Sequence, residues 1–373
     1  MTKIKVCHTI VNTFTAKRFI EPLCDSNSSI FESTILIDIF GGSQLFLEQL
    51  SVPFKLFSLS INSNPLTYPL KLYRLISYFK NHTPDVLVCH FTTGALIPLI
   101  AGFLCGVNVR IYYNHGVPYV GYKGITRWAF AFLERINCFF ATEVLTVSKG
   151  MKPYLDAVSS KNAKVLGKGS ICGLIDDWYK QADSITINDL KIEFSLSDND
   201  TVFIYVGRPF KRKGFPMVLQ AFVESTLENK VLFLAGCTKE DVISQVGYIP
   251  DDVIALGLVD NIKSYYDLAD VVILPSFHEG FGYALLEGAA SKCCLLASDI
   301  PGPDAILRDG YNGRVFSVKC VSSLVTLINN IGLDKEQLLE YKTNAYQSSL
   351  SFKRDCVVDE FNRFVTSKMI KEP

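Results

Sequence analysis

The sequence lacks several features that would assign a chain of this length to a broad class. Its 373 residues contain 37 basic and 37 acidic side chains, so no excess of positive charge favours nucleic acid as a partner. No run of 18 or more apolar residues occurs, so no transmembrane helix is predicted. The N-terminus has only a short apolar run before Asn12 and Thr13, which predicts a first strand and not a signal peptide.

Paired metal-ligand and cofactor motifs are also missing. The 11 cysteines include no C-x2-C pair and lie near no histidine cluster, which argues against structural zinc and a disulfide framework. Most of them, such as Cys293 and Cys294, are predicted to be small buried residues in a reducing cytoplasm. No G-x-G-x-x-G follows the first predicted strand, which disfavours a nicotinamide-dependent oxidoreductase. No D-x-D motif occurs in a suitable loop, since the Asp176 and Asp251 pairs are adjacent aspartates in turn-like contexts.

Apolar residues, in contrast, are abundant. A hydrophobic content of 49% against 20% charged residues excludes a disordered chain, and 373 residues fit two domains. Short apolar runs alternate with amphipathic segments in both halves, which predicts βα units and parallel sheets. The glycine-dense segment 167–177 places the boundary near Gly173, between domains 1–172 and 173–354.

The predicted elements follow from these runs. Strands are predicted at 4–10, 33–39, 86–90, 109–113 and 143–147, and at 202–206, 231–235, 253–256, 271–274 and 293–297. Helices are predicted at 69–81, 94–104, 123–138, 149–156, 215–225, 262–269, 283–290 and 321–331. The polar segment 189–200 is expected to lead into the second domain, and the tail 355–371 is amphipathic.

The most informative segment is 276–287, S-F-H-E-G-F-G-Y-A-L-L-E, directly after a predicted buried strand. Glu279 and Glu287 bracket Gly280 and Gly282, and an apolar helix begins at once. A strand that ends at glycines and continues as a helix exposes backbone N–H groups to anions, above all phosphates. The glutamates would then bind hydroxyl groups of the same ligand, which predicts a nucleotide-sugar site. The alternative is that both glutamates only favour a helix N-terminus or lie exposed.

A second loop carries positive charge. The segment 207–214, G-R-P-F-K-R-K-G, lies between a predicted strand and a helix. Arg208 can clamp phosphate oxygens bidentately and Lys213 adds a point charge, so both could reach one diphosphate. Taken alone, this loop is equally well explained as a solvated turn. The glutamate motif downstream favours the phosphate interpretation.

The two motifs together resemble a known family. G-R-x4-K-G at 207–214, followed about 65 residues later by E-x7-E, resembles the donor site of family 4 of the retaining glycosyltransferases. The resemblance implies the GT-B fold, in which two Rossmann-like α/β/α domains with parallel sheets face a central cleft. The N-terminal half is similar to bacterial enzymes that build O-antigen and capsule, through segments 89–93, 112–118 and 147–149. In that fold a final helix, here 355–373, crosses back to the first domain.

The resemblance also implies a mechanism. The acceptor hydroxyl would attack from the face that the nucleoside diphosphate leaves, so the main requirement is to stabilise charge on the leaving group. Two cations and a helix N-terminus would supply that stabilisation without a metal ion or cofactor. The donor-binding set on the two motifs is Gly207, Arg208, Lys213, Gly280, Phe281 and Gly282.

Other residues receive separate roles by the same resemblance. Glu287 would bind the ribose hydroxyls, and Glu279 would lie beside the transferred sugar and the anomeric centre. Val259 falls where the family's backbone meets the nucleotide base, although a buried turn explains it equally well. His115 would contact the donor sugar, with a hydrogen-bonded core histidine as the alternative, and His90 is compatible with either cleft or core.

One loop departs from the family pattern. Many members carry a glycine pair just after the first strand, which approaches the donor phosphates or the acceptor. Here residues 11–16 contain no glycine, and Gly41-Gly42 comes only after the second strand, as a predicted turn. Asn12 or Thr13 would replace that contact, or the loop would serve the acceptor.

The expected partners are a nucleotide-sugar, with UDP-hexose or UDP-N-acetylhexosamine preferred, and a glycan acceptor on polyprenyl diphosphate. A soluble small acceptor, or a nucleotide-sugar-binding protein without catalysis, is the alternative. Segments 122–140 and 69–80 mix basic and aromatic residues, which suits the headgroup zone of an anionic bilayer. We therefore expect peripheral attachment at the inner face of the cytoplasmic membrane, although ordinary amphipathic helices would show the same pattern.

Overall fold

The computed structural model describes residues 2–25, 28–38, 47–61, 64–331 and 333–369. The chain forms two compact units, the first comprising Met1–Gly173 with Arg354–Pro373 and the second Leu174–Lys353. Each unit contains a six-stranded sheet in which all neighbouring strands are parallel. The turn predicted at Gly41-Gly42 lies outside the described residues.

The first unit alternates strands with helices. In chain order its elements are β1 (Ile4–Ile10), the helical segment α1 (Thr13–Thr15, Ala16–Ile20 and Glu21–Asp25), β2 (Phe31–Ile37), β3 (Phe54–Leu56), α2 (Tyr68–Asn81), β4 (Val86–His90), α3 (Thr92–Leu104), β5 (Val109–Asn114), α4 (Gly124–Phe140), β6 (Glu143–Thr146) and α5 (Lys152–Asp156). The sheet order is β3-β2-β1-β4-β5-β6, so the winding direction reverses between β1 and β4. Every residue of β4 is buried, as expected of a central strand covered on both faces.

The second unit repeats this architecture. Its elements are α6 (Ser184–Glu193), β7 (Thr201–Val206), α7 (Phe215–Glu224), β8 (Lys230–Ala235), α8 (Lys239–Val246), β9 (Val253–Gly257), α9 (Ile262–Leu268), β10 (Val271–Leu274), α10 (Tyr283–Ala290), β11 (Cys294–Ser298), β12 (Gly313–Phe316), α11 (Val321–Ile331) and α12 (Lys335–Ser349). The order β12-β11-β10-β7-β8-β9 reverses direction between β7 and β10. Helix α13 (Arg354–Met369) then belongs to the first unit.

The predicted α/β class with parallel sheets is confirmed, and each predicted strand and helix has a counterpart within a few residues of its expected bounds. Strand β2 begins two residues before its predicted start, and the segment expected to be a polar lead-in from 189 instead contains the end of helix α6. Helix α8 was not predicted because it is largely polar. It is defined at its start by a reciprocal capping box between Thr238 and Asp241, and at its end by Gly247 in the left-handed conformation.

Candidate functional site

The two loops that carry the motifs flank the reversal point of the second sheet. The basic loop follows β7 and the glutamate loop follows β10, and these strands are neighbours. Ligands of open α/β sheets bind at the carboxyl ends of the strands where the winding direction reverses. The fold therefore places both predicted motifs at the edge where a ligand is expected.

Two backbone features hold these loops together. The N–H of Phe277 donates to the carbonyl oxygen of Arg212 at 2.9 Å. Gly214 has φ +77°, and a Cβ at this position would lie 1.9 Å from the carbonyl oxygen of Pro275. Because that contact is with backbone, no side-chain rearrangement could relieve it, and only glycine fits.

The principal cation and one carboxylate of the site form an ion pair. Lys213 Nζ lies 2.6 Å from Glu279 Oε1, which also accepts a hydrogen bond from Ser276 Oγ at 2.7 Å. The Lys213 side chain is 34% exposed and that of Glu279 13%, so the pair is only partly open to water. The structure therefore joins two predicted site residues that are 66 positions apart.

Glycines shape the entrance to helix α10. Gly282 precedes the helix with φ +92°, a conformation that L-residues with a side chain rarely adopt. Gly302 approaches the other side of the loop so closely that a Cβ would lie 2.6 Å from the carbonyl oxygen of Glu279. Phe281 is buried and packs edge-on against Phe352, with ring centroids 5.4 Å apart. The backbone of Gly280 and Gly282 is thus held at the N-terminus of the helix.

Arg208 differs from Lys213 in being exposed. Its guanidinium lies 5.7 Å from the ring centroid of Phe210, and its carbonyl oxygen accepts a hydrogen bond from Tyr205 Oη at 2.9 Å. Burial raises the pKa of Tyr205, so this hydroxyl remains protonated and able to donate. Beside it, Gly236 approaches the carbonyl oxygen of Gly207 so closely that a Cβ would lie 2.7 Å away. The backbone of the loop is therefore fixed while the Arg208 side chain extends into solvent.

Two further predicted residues occupy different settings. Glu287 is buried in α10 and accepts a hydrogen bond from Tyr266 Oη at 3.2 Å, so the alternative of an exposed glutamate is wrong. Val259 is half-buried in the loop after β9. That loop adjoins the end of β8, since Gly257 exchanges backbone hydrogen bonds with Gly236 and Cys237.

In the first unit, His115 belongs to a row of three histidines. His115 Nε2 lies 2.8 Å from His90 Nδ1, and His90 Nε2 lies 3.0 Å from His8 Nδ1. His8 and His90 are fully buried, so His90 is a core residue of this unit. Burial lowers the pKa of both His8 and His115 to about 3, which makes both rings neutral near pH 7. The sequence analysis did not identify His8.

Comparisons with known proteins agree with this geometry. Residues 187–348 match the family described as glycosyl transferases group 1. The capsular polysaccharide biosynthesis glycosyltransferase CapM of Staphylococcus aureus is 26% identical over 259 residues, which cover 65% of this chain and 66% of CapM. The second unit, which contains residues 187–348, thus matches the group 1 glycosyl transferase family.

Two more relatives extend the comparison. The UDP-Gal:alpha-D-GlcNAc-diphosphoundecaprenol alpha-1,3-galactosyltransferase of Escherichia coli is 22% identical over 287 residues, covering 71% of this chain and 70% of that enzyme. HepE of Anabaena, solved in complex with UDP, superposes with a TM-score of 0.81 and 17% identity over 98% of this chain and 100% of HepE. This structural likeness confirms the GT-B fold class.

The first unit also contains a buried carboxyl group whose hydrogen-bond donors are neutral side chains. Glu134 of α4 is fully buried and accepts hydrogen bonds from Thr92 Oγ1 at 2.7 Å, Tyr112 Oη at 2.6 Å and Asn114 Nδ2 at 3.1 Å. Desolvation outweighs these three donors and raises the pKa of Glu134 to about 7. Asn114 Oδ1 in turn accepts the N–H of Gly116 at 2.8 Å. The network therefore connects α4 to the loop that carries His115.

The surface of the first unit only partly matches the predicted membrane face. Trp128 and Phe132 of α4 are 76% and 65% exposed, and Lys123 and Arg135 beside them are also exposed. In α2, however, Lys71 is buried and its Nζ donates to the carbonyl oxygen of Ser60 at 2.7 Å, while Phe79 lies in the core. The prediction that those two side chains face a bilayer was wrong, because they lie on the inward face of the helix. Among the helices in the described part of the chain, none is long and apolar enough to cross a membrane.

Proposed function

We propose that this glycosyltransferase moves a hexosyl or N-acetylhexosaminyl group from a UDP-sugar to a glycan acceptor, with retention of configuration. The observation that carries the proposal is the ion pair of Lys213 and Glu279 at the reversal point of the second sheet, beside the glycine entrance to α10. A cation, a carboxylate and a helix N-terminus at one edge suit a ligand with both phosphates and hydroxyls. A nucleotide-sugar has both.

The roles follow from the charges that develop. As the bond from the anomeric carbon to the diphosphate oxygen breaks, Lys213 and Arg208 would stabilise the negative charge on the leaving group. The acceptor hydroxyl forms the new bond to the anomeric carbon, and its proton passes to the departing diphosphate. Glu279, held by Ser276 as well as by Lys213, would face the sugar hydroxyls and the positive anomeric centre. The scheme needs no metal ion.

The remaining residues would bind parts of the donor. Glu287, already an acceptor for Tyr266 Oη, would take the ribose hydroxyls. The backbone of Val259 would meet the base, and His115 would contact the sugar. The backbone of Gly280, Phe281 and Gly282 would meet the diphosphate. The N–H of Gly207 already donates to the carbonyl oxygen of Ala235 at 3.0 Å, so Gly207 would contribute only by letting the ligand approach closely.

For the acceptor we propose a glycan on polyprenyl diphosphate, used in the synthesis of a bacterial surface polysaccharide. The name of the Escherichia coli relative includes a diphosphoundecaprenol-linked sugar, and CapM is named for capsular polysaccharide biosynthesis. The exposed Trp128 and Phe132, next to Lys123 and Arg135, support contact with an anionic membrane where such an acceptor resides. A soluble acceptor is the competing possibility.

A product assay tests the proposal. Purified protein would be incubated with UDP-, GDP- and ADP-sugars against polyprenyl-diphosphate-linked and soluble acceptors, with products identified by mass spectrometry and their anomeric configuration by NMR. We expect transfer from a UDP-sugar to the lipid-linked acceptor. The product should keep the anomeric configuration of the donor, and EDTA should not lower the rate. Transfer only to soluble acceptors would favour the competing acceptor class. An inverted product or strict dependence on Mn²⁺ or Mg²⁺ would contradict the mechanism.

A further inference from the structure

The row of histidines in the first unit crosses three adjacent strands. His8 lies in β1, His90 is the last residue of β4, and His115 follows β5 directly, and these strands are neighbours in the sheet. The rings of His8 and His90 stack with centroids 5.4 Å apart, and those of His90 and His115 meet edge-on at 5.0 Å. With nitrogen–nitrogen distances of 3.0 and 2.8 Å, the three rings form one continuous chain of hydrogen bonds.

The surroundings of the row are largely aromatic. The His8 ring lies 5.9 Å from that of Phe361 in α13, and the His115 ring lies 4.2 Å from that of Phe91. Tyr113, whose ring is 5.5 Å from that of His115, donates its hydroxyl to the carbonyl oxygen of Ser170 at 2.9 Å. Burial lowers the pKa of all three histidines far enough that each ring is neutral near pH 7.

The number of protons in the row restricts its arrangement. A neutral imidazole has one N–H and one nitrogen lone pair, so three rings carry three N–H groups. Two of these form the two internal hydrogen bonds, and the third must lie at one end of the row. The two ends are His8 Nε2 and His115 Nδ1, and neither finds a hydrogen-bond partner among the described residues. The row thus has two possible directions.

The position of each end in the unit distinguishes the two directions. Both end nitrogens are shielded from solvent, but His8 is fully buried beside Phe361, whereas His115 is a partly exposed residue at the end of its strand. Orphaned N–H groups are rarer in protein interiors than under-satisfied acceptors, and an acceptor can approach only the His115 end, so the third proton is disfavoured at the His8 end. The N–H of His8 Nδ1 then donates to His90 Nε2, and that of His90 Nδ1 donates to His115 Nε2. The remaining N–H is on Nδ1 of His115.

We propose that His8 and His90 are positioning residues that hold His115 as its Nδ1–H tautomer, so that His115 presents a hydrogen-bond donor to an acceptor oxygen of the ligand. The lone pair of His115 Nε2 is occupied by His90, so His115 acts as a donor and not as a general base. The tautomer assignment is independent of any ligand. Its consequence for sugar transfer rests on the proposed contact between His115 and the donor.

The assignment can be read directly in the ligand-free, full-length protein. Histidine ring nitrogens would be labelled with ¹⁵N, and long-range ¹H–¹⁵N correlation spectra recorded near pH 7. We expect all three rings to be neutral and protonated at Nδ1. A proton on Nε2 of His115, or a doubly protonated ring within the row, would overturn the proposal whatever the activity of the protein.

Substitution of His90 tests the coupling to function. His90→Leu removes the donor to His115 Nε2, whereas the side-chain amide of His90→Asn lies near the former Nδ1 position and can still donate. We expect His90→Leu to release His115 into a tautomer mixture and to lower kcat/KM for the donor about tenfold, the effect of one lost hydrogen bond. His90→Asn should restore the Nδ1–H signal and most of the activity.

A control separates positioning from general damage to the core. Leu87→Ala truncates a fully buried side chain on the opposite face of the same strand, so it should lower the melting temperature without changing the tautomer of His115. If Leu87→Ala shifts the His115 signals as His90→Leu does, the row has no specific role. If the tautomers are as expected but the Leu and Asn variants are equally active, the positioning role is refuted. Absence of transfer in the wild-type protein would instead refute the proposed function and leave the spectroscopic assignment standing.

Discussion

The two units share one architecture but differ in the chemistry at the carboxyl ends of their central strands. In the second unit a lysine and a glutamate form an ion pair, in loops locked together by glycine and a backbone hydrogen bond. In the first unit neutral histidines form a buried row, and the nearest carboxyl network is held by neutral donors alone. Under the proposed function, the second unit would stabilise the charge on the leaving group, while the first would supply neutral hydrogen bonds.

The largest expected effect concerns the cations of the second unit. We expect Lys213→Ala and Arg208→Ala each to lower kcat by about 10²- to 10³-fold, because the charge they meet develops in the transition state. Lys211→Ala removes an exposed lysine of the same loop and should leave kcat within about twofold. Steady-state kinetics of the three variants would show whether each substitution changes kcat or KM. A rise in KM at constant kcat for both site variants would make these residues simple ground-state binders.

The second largest effect is expected at Gly214, where the two loops of the candidate site are in close backbone contact. In Gly214→Ala the new Cβ would collide with the Pro275 carbonyl at 1.9 Å and force the two loops apart, with a stability loss of about 3 kcal/mol or more and much reduced activity. Gly247→Ala is the matched control. Its φ is +87°, but a Cβ would meet no described atom within 4 Å, so it should cost only about 1 kcal/mol of backbone strain. Denaturant unfolding of both variants measures the difference, and equal losses would show that loop contact is unimportant.

The neutral network of the first unit makes stability depend on pH. Since folding raises the pKa of Glu134 from 4.5 to about 7, the folded state binds the proton more tightly than the unfolded state. The stabilisation that comes from protonated Glu134 is complete below about pH 4.5. It is lost as the pH rises to about 7, which lowers the free energy of unfolding by up to about 3 kcal/mol. Glu134→Gln keeps a neutral acceptor and should remove this slope from the free energy of unfolding. An unchanged slope would assign the pH dependence to other groups.

The smallest effect concerns the exposed face of α4. We expect the protein to float with vesicles rich in anionic lipid and to be released by high salt, and Trp128→Ser with Phe132→Ser to weaken partitioning about tenfold. Ile185→Ser changes a side chain of the second unit that is 72% exposed, similar to Trp128 at 76%, and should leave flotation unchanged. Equal binding to neutral and anionic vesicles, or no binding to either, would favour a soluble acceptor.

The alternation of short apolar runs with amphipathic segments was enough to predict the parallel sheets, but the most polar helices and strands were not predicted. Helix α12 has few apolar positions and depends on the Asp334 cap, and the three residues of β3 are largely open to solvent. Both loops of the candidate site were proposed from their glycines and charges, and the fold brings them together at one edge of the second sheet. The contact of Gly214 with Pro275 was not predictable, because it depends on strand order, which brings together loops far apart in sequence.

The histidine row shows the same limit. His8 is one of three polar residues in β1, with Lys5 and Thr9, and nothing local relates it to His90 or His115. The three meet only because β1, β4 and β5 are adjacent in the sheet. Lys71 is the opposite case. Its charge suggested that the side chain would be exposed. Instead, the side chain lies on the inward face of α2, and its Nζ donates to the carbonyl oxygen of Ser60.

Hydrogen–deuterium exchange with and without UDP tests whether a nucleoside diphosphate binds at the reversal point of the second sheet. We predict slower exchange at saturating UDP in peptides covering 207–214 and 276–287, where the proposed backbone donors lie. Protection in these peptides should be much weaker in Lys213→Ala at the same UDP concentration. Unchanged exchange in both segments of the wild-type protein, with UDP bound according to calorimetry, would contradict the account.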